Sequence, residues 1–320
     1  MGVTGERRRL GSRGPVVTRL GLGTAPLGNL FSTVTDADAA ATVDAAWDEG
    51  IRFFDTAPLY GHGLAEHRLG RALAARPRDE FVLATKVGRL LQPSSGTSAP
   101  GVFTDVPDVE PVFGYSRDDT LRSIAASLER LGMDHVEVVH VHDPDDHEAE
   151  AMMGAFPALI ELRGQGVIGA VGAGMNQWPM LDRFVERVDL DCVLLAGRYT
   201  LLDRSGADVL LPRCAERGVG VVIGGVFNSG LLADPDADTT YDYVAASDSL
   251  RARALDLQQR ARSGGVTLRA AALQFALAHP AVTSVVVGAR TALEVHDDVA
   301  DAEVAIPPSL ATELGFDAQP

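Results

Sequence analysis

IRFFDTAPLYGHG, residues 51–63, opens as a buried strand and ends as something else. Its first half is an apolar run without the wet–dry alternation of a half-exposed sheet, which suits a parallel strand covered on both faces. The run then stops on a carboxylate, Asp55, and a loop marked by proline and glycine delivers a phenol, Tyr60. A buried strand that ends in polar groups asks what those groups meet.

Comparable runs rich in Val, Ile and Phe fall at 20–28, 81–88, 136–143, 168–174, 192–199, 219–227 and 284–289, which with 51–58 makes eight. Between them lie helical patterns with end signals. Thr35 is an N-cap ahead of a helix that Gly50 stops, and Ser116 opens one that Gly132 stops. A further helix in LRAAALQFALAH ends just before Pro280. Eight strand–helix repeats predict an α/β protein of the (β/α)8 TIM-barrel class, one domain spanning 1–320. Residues 6–18, with Gly-Pro at 14–15, are expected to form a short hairpin closing the barrel floor. Two strand-to-strand steps are unusually long. Their excess lies in the Pro/Gly/Ser-rich segment 89–115 and in the stretch after Gly230, both beyond strand C-termini, where barrel enzymes place substrate loops. Phe113 and Tyr115 mark the first as a loop that folds over something; a plain surface loop is the alternative for each.

Composition narrows the function classes. Forty-four acids against twenty-eight bases give a formal charge of -16, the wrong sign for a general nucleic-acid or anionic-membrane binder. No apolar run approaches the roughly 20 residues that span a bilayer, and the N-terminal segment lacks the apolar stretch of a signal peptide. Cys192 and Cys214 both sit in apolar segments and read as structural thiols in a reducing compartment. A cytoplasmic protein is the expectation, as monomer or homodimer, with a small-molecule substrate.

In a barrel, strand C-termini converge on one mouth. Asp55, Lys86 and His142 end three successive strands, and Tyr60 hangs above the first of these. A buried carboxylate is costly unless paired, and Lys86 is within reach from the next strand. An ammonium beside Tyr60 would stabilise its phenolate and lower a pKa that is ordinarily about 10. Such a phenol gives a proton to a carbonyl oxygen or takes one from a hydroxyl, while a neutral His142 orients that oxygen. The chemistry that fits is hydride transfer involving a bound cofactor, with no metal.

FFDTAPLYG, ATKVG, SLERLGMDHVEVVHVHDPD and LQFALAHPAVTSVVVGAR together resemble the aldo-keto reductases, in the right order over nearly the whole chain. The resemblance implies a catalytic tetrad of Asp55, Tyr60, Lys86 and His142, with NAD or NADP extended across the mouth. DTAPLYGHGLAEHRLG, GAGMNQW, LLAGRYTLLD and GGVFNSGLLA are similar to the D-threo-aldose 1-dehydrogenase branch, which includes enzymes oxidising L-fucose-type sugars and L-galactose and the related pyridoxal 4-dehydrogenases. It further implies Asn176 as a holder of the nicotinamide carboxamide, although the family's preceding serine is Met175 here. The family's usual glutamine after strand six is Ala196, and its stacking aromatic aligns near Gly224, leaving Phe227 for that role. NSGLL (228–232), with Ser229, Gly230 and Leu231, would wrap the pyrophosphate. Gly288, Arg290, Thr291 and Glu294 would cover the adenosine end, with Asp298 where the family has asparagine. Gly23 and Thr24 would lie near the nicotinamide.

Other readings compete. His140 and His142 form a His-x-His pair such as barrel metallohydrolases use for zinc, but the other strand ends offer no ligand set, and His140 then reads as a core histidine. Neither GLGTAPLG nor GAGMNQ completes G-x-G-x-x-G, which disfavours a Rossmann domain. His62 lies close enough to Tyr60 to touch a substrate. Trp178 either lines the substrate pocket or packs. Arg290 stands among acids, which tilts the cofactor toward NAD. The expected reaction is oxidation of an aldose to its lactone. A pyridoxal 4-dehydrogenase, an aldehyde reductase or a non-catalytic nucleotide-binding barrel stays open.

Overall fold

A strand buried on both faces needs a helix outside it and side chains from other strands inside it. The computed structural model describes residues 2–94, 96, 101–237 and 240–316. Its barrel strands are β1 (Leu20–Gly23), β2 (Phe53–Asp55), β3 (Val82–Val87), β4 (Val136–His142), β5 (Ile168–Met175), β6 (Cys192–Ala196), β7 (Gly220–Gly224) and β8 (Val282–Gly288). Each pairs in parallel with its neighbours in sequence, and β8 pairs with β1 to close the barrel.

Several strands stop earlier than their apolar runs. β1 gives way to a 3-10 turn at Ala25–Gly28, where Pro26 has no N–H to donate to a ladder. β6 and β7 stop at left-handed glycines, Gly197 (φ 67°) and Gly225 (φ 61°), which swing the chain over the mouth. The helix ends agree with the sequence. Thr35 accepts the Asp38 N–H at 3.0 Å, Ser116 accepts that of Asp119 at 3.1 Å, and Gly132 (φ 64°) ends the second helix.

The floor is closed by an antiparallel hairpin, Arg7–Arg9 against Val16–Thr18. Leu10 at its turn is wholly buried and packs with Phe53, Val138, Ala170 and Val222 inside the barrel. Burying such a leucine contributes about 1.5–3 kcal/mol. Arg19 locks the hairpin by donating to the carbonyls of Leu277, Val282 and Thr283.

The two long steps hold more structure than their composition suggests. Arg89–Pro93 and Val109–Phe113 form an antiparallel ribbon standing off β3. The step from β7 to β8 holds a small ladder, Thr240–Tyr241 with Val244–Ala245, and two helices, Asp248–Ser263 and Leu268–Ala278. The first of these helices is mostly polar and buries only Ala254 and Ala261, so its sequence carries a weak apolar stripe. Among the described residues no helix is long and apolar enough to cross a membrane.

Candidate active site

Register decides what the mouth contains. Asp55 pairs with Ala84, and Lys86 lies two residues further along β3, so both side chains project on the same face. Lys86 Nζ donates to Asp55 Oδ2 at 2.6 Å and to the Thr56 carbonyl at 2.9 Å. Both side chains are almost fully buried. Burial raises the Asp55 pKa, and the Lys86 charge opposes that rise. Asp55 Oδ1 is buried without a partner, and Asp55 lines a cleft of about 360 Å³.

Tyr60 stands over this pair. Its loop is pressed against the 3-10 turn so closely that a Cβ on Gly28 would come within 2.6 Å of the Tyr60 carbonyl carbon. Lys86 Nζ lies 4.6 Å from the Tyr60 ring centroid, in cation–π range. The ammonium spends its hydrogen bonds on Asp55 and Thr56 and makes none to the phenol. The expected lowering of the Tyr60 pKa is therefore not what this arrangement produces. Burial, followed by Asp55, Tyr243 and Asp143, raises it well above its ordinary value. Tyr60 is a protonated acid here.

His142 ends β4 with its ring edge-on to Tyr60, centroids 5.8 Å apart. Burial, then Lys86 and Arg89, pushes its pKa well below the usual range, so the imidazole is neutral. Its Nε2 lies 3.4 Å from Asp143 Oδ2, while Nδ1 is buried without a partner. His140 lies one layer deeper, wholly buried, with Nε2 3.6 Å from Cys192 Sγ. A Cβ on Gly172 would fall 2.5 Å from the His140 ring, so that glycine makes its room. Among the described residues no group of three or more His, Cys, Asp or Glu could hold a metal ion.

The cleft runs from Asp55 and Tyr60 past Ala196, Gly224 and Phe227 to Arg290, Glu294 and Asp298. Its chemistry fits a dinucleotide. Gly23 lines it with nothing closer than 3.6 Å to a built Cβ, so neighbouring packing does not demand a glycine there, and the space serves a ligand. Unpartnered buried atoms mark both ends, Asp55 Oδ1 and Arg290 Nε.

Residues 19–313 match the aldo/keto reductase family. The chain belongs to that family. It is 43% identical to a D-threo-aldose 1-dehydrogenase of Pseudomonas sp over 94% of each chain. It is 42% identical to a pyridoxal 4-dehydrogenase of Microbacterium luteolum, over 97% of this chain and 96% of that one. A solved aldo-keto reductase of Bacillus halodurans superposes with a TM-score of 0.76 at 25% identity, covering 98% of this chain and 96% of that one. The protein is thus an oxidoreductase of the aldo-keto reductase type, acting on CH–OH groups, and the family implies NAD or NADP.

Within this aldo-keto reductase the other expected site residues divide. Gly23, Phe227, Ser229, Gly230, Gly288, Arg290, Glu294 and Asp298 line the cleft. Thr24 lies behind it and gives its hydroxyl and N–H to the Asp55 carbonyl. Asn176 is half-buried just beyond β5. Leu231 is core, and its N–H goes to Asn228, so the 228–232 turn spends on itself donors expected to wrap a pyrophosphate. The Thr291 hydroxyl caps its own helix on Glu294. Trp178 packs against the core at a helix start. His62 Nδ1 contacts the Val109 carbonyl at 2.6 Å and ties down the ribbon.

Three groups at the mouth escaped the sequence reading, and the sequence marks a fourth, Tyr115, as part of a loop that folds over something. Arg89 is buried and donates to the Tyr115 hydroxyl and to the His142 and Asp143 carbonyls. Tyr115 donates to the same two carbonyls at 2.7 and 2.9 Å. Arg269 stacks on Phe227 and pairs with Asp298 and Asp301. Tyr243 packs against Phe31 over the cleft, centroids 6.1 Å apart, both residues at positive φ. Only Tyr115 carried a signal, as an aromatic in a loop otherwise rich in turn residues.

Proposed function

We propose that the protein oxidises the anomeric carbon of an aldose to a lactone, with Asp55, Tyr60, Lys86 and His142 as its catalytic groups. The buried Lys86–Asp55 pair of 2.6 Å beneath Tyr60 carries the reading, because it places a compensated cation against a phenol that faces the cleft. Nicotinamide dinucleotide, when bound, accepts hydride in its oxidised form and brings a positive charge into the cleft that Tyr60 lines. Beside a positive charge a phenol gives up its proton more readily. Once that proton has left to solvent, Tyr60 Oη takes the proton from the substrate hydroxyl as hydride leaves the same carbon, and neutral His142 holds the oxygen through Nε2–H. In the reverse direction the protonated Tyr60 donates to a carbonyl. Asp55 keeps Lys86 charged and fixed.

Asp55, Gly23, Ala196, Gly224 and Phe227 would hold the nicotinamide half, and Ser229, Gly230, Gly288, Arg290, Glu294 and Asp298 the adenosine half. At that end two guanidiniums face two carboxylates, and Arg269 is already paired with Asp298 and Asp301. A 2′-phosphate would meet Glu294 and Asp298 beside one guanidinium not already paired among the described residues, Arg290, rather than a cluster of cations, which supports NAD over NADP. Similarity of 43% to an aldose dehydrogenase supports the sugar, and 42% to a pyridoxal 4-dehydrogenase keeps pyridoxal as the second reading. Initial rates with L-fucose, L-galactose, D-arabinose and pyridoxal, each with NAD+ and NADP+, test both. The proposal expects the highest kcat/KM for an aldose with NAD+. Turnover confined to pyridoxal, or to carbonyl reduction with NADPH, would overturn it.

A further inference from the structure

The four catalytic groups act on one carbon and its oxygen, which leaves the remaining hydroxyls of a sugar to be recognised. Asp143, next in sequence after His142, is the candidate for that role. Its backbone is at φ 38°, a left-handed conformation that is costly for a residue with a side chain. Its main chain is fastened on three sides. The N–H donates to the Gly174 carbonyl at 3.1 Å, and the carbonyl receives the Tyr115 hydroxyl at 2.9 Å and Arg89 Nη2 at 3.4 Å. Nothing comparable holds the carboxylate. No lysine or arginine pairs with it among the described residues, and its contact is His142 Nε2 at 3.4 Å.

The carboxylate is about one-third exposed, and its Oδ2 lies 3.4 Å from His142 Nε2, the atom that would hold the reacting oxygen, so it stands beside the reacting position. Tyr60 and an aromatic lid line the cleft. That lid, Tyr243 on Phe31, offers flat apolar faces of the kind that pack on sugar C–H groups. An ionised carboxylate only accepts hydrogen bonds, and its two oxygens can take two neighbouring hydroxyls at once. Backbone strain, a fastened main chain and an unpaired carboxylate converge on a group fixed for a ligand.

We propose that Asp143 selects polyhydroxy substrates, its carboxylate receiving a pair of adjacent hydroxyls while the reacting oxygen lies at Tyr60 and His142. The inference rests on the sugar-oxidising reading above and adds the residue that discriminates. A substrate without those hydroxyls leaves the carboxylate dehydrated and unpaired, which is the costly outcome in a site built for hydrogen bonding.

The test compares wild type with Asp143→Asn and Asp143→Ala, using L-fucose with NAD+ and butyraldehyde with NADH. Asparagine tolerates the left-handed conformation, so the first variant keeps the turn. The quantity read is the ratio of kcat/KM for the sugar to that for the aldehyde. It is expected to fall about ten-fold or more in Asp143→Asn and further in Asp143→Ala, mainly through KM for the sugar. A ratio that stays constant overturns the inference, whether both activities fall together, as an effect on His142 alone would give, or neither falls. A wild type that reduces butyraldehyde but oxidises no aldose overturns the sugar-oxidising reading instead, and this inference with it.

Discussion

Two buried aspartates sit at opposite ends of the barrel, and their surroundings differ in kind. Asp191, at the floor, is 1% exposed, and both its oxygens are used. Arg13 Nε donates to Oδ1 at 3.0 Å, and Arg163 Nη1 and the Val171 N–H donate to Oδ2 at 2.6 and 2.8 Å. Asp55, at the mouth, is 2% exposed, yet only Oδ2 is occupied. Oδ1 is buried with nothing to accept from, in a residue that lines the cleft. A carboxylate saturated by protein donors serves the fold. One left half-satisfied at large desolvation cost serves a ligand. The same contrast separates the fastened hairpin of the floor from Arg290, His142 and Asp143 at the mouth.

The largest expected effect on stability lies at the floor. Asp191→Ala removes the buried acceptor of Arg13, Arg163 and the Val171 N–H, while both guanidiniums keep Asp189, and should cost about 1.5–3 kcal/mol in urea unfolding. Turnover per folded molecule should stay at the wild-type value, since no part of Asp191 reaches the cleft. A loss under about 1 kcal/mol would erase the distinction between the two aspartates.

A smaller effect sharpens the contrast within the barrel. Burial, with Lys86 next to it, lowers the His140 pKa from 6.5 to about 3. The unfolded chain takes up that proton below 6.5 and the folded chain does not. The contribution of His140 is therefore intact above pH 6.5 and lost as pH falls from there toward 3. Its slope is about 1.4 kcal/mol per pH unit. Asp143 and Asp298, raised to about 6 and about 7, act in the opposite sense and are common to wild type and variant. Subtracting the stability of His140→Met from that of wild type between pH 6 and 4 should thus isolate the histidine slope. A difference independent of pH would show that His140 is protonated in the fold.

The barrel and the meeting of Asp55, Tyr60, Lys86 and His142 at its mouth were legible because both rest on period and strand-end position. Eight apolar runs, each closed by a turn, left little choice of fold, and Asp55, Lys86 and His142 each ended one. Direction of side chains was not legible in the same way. Trp178, Thr291 and Leu231 lie near the cleft in sequence but turn to packing, capping and core, because local register points them there. Asp143 is set by Arg89 and Tyr115, which come from a ribbon some distance back in the chain and reach it only once β3 and β4 are paired. Arg269 meets Asp298 across two helices that no local pattern relates. The lowering of the phenol pKa expected from proximity alone failed for a similar reason. Two of the three Lys86 N–H donors go to Asp55 and Thr56, none goes to the phenol, and burial outweighs the charge that stands near it.

Tyr60 remains the pivot, since every proton in the proposed reaction passes through its oxygen. The decisive measurement is kcat of Tyr60→Phe with the aldose that wild type oxidises best, beside the dissociation constant for NAD+. Removing the hydroxyl should lower kcat about 10²- to 10⁴-fold and leave cofactor affinity within a few-fold. A phenylalanine enzyme that turns over within about ten-fold of wild type, with NAD+ still bound, would contradict the account.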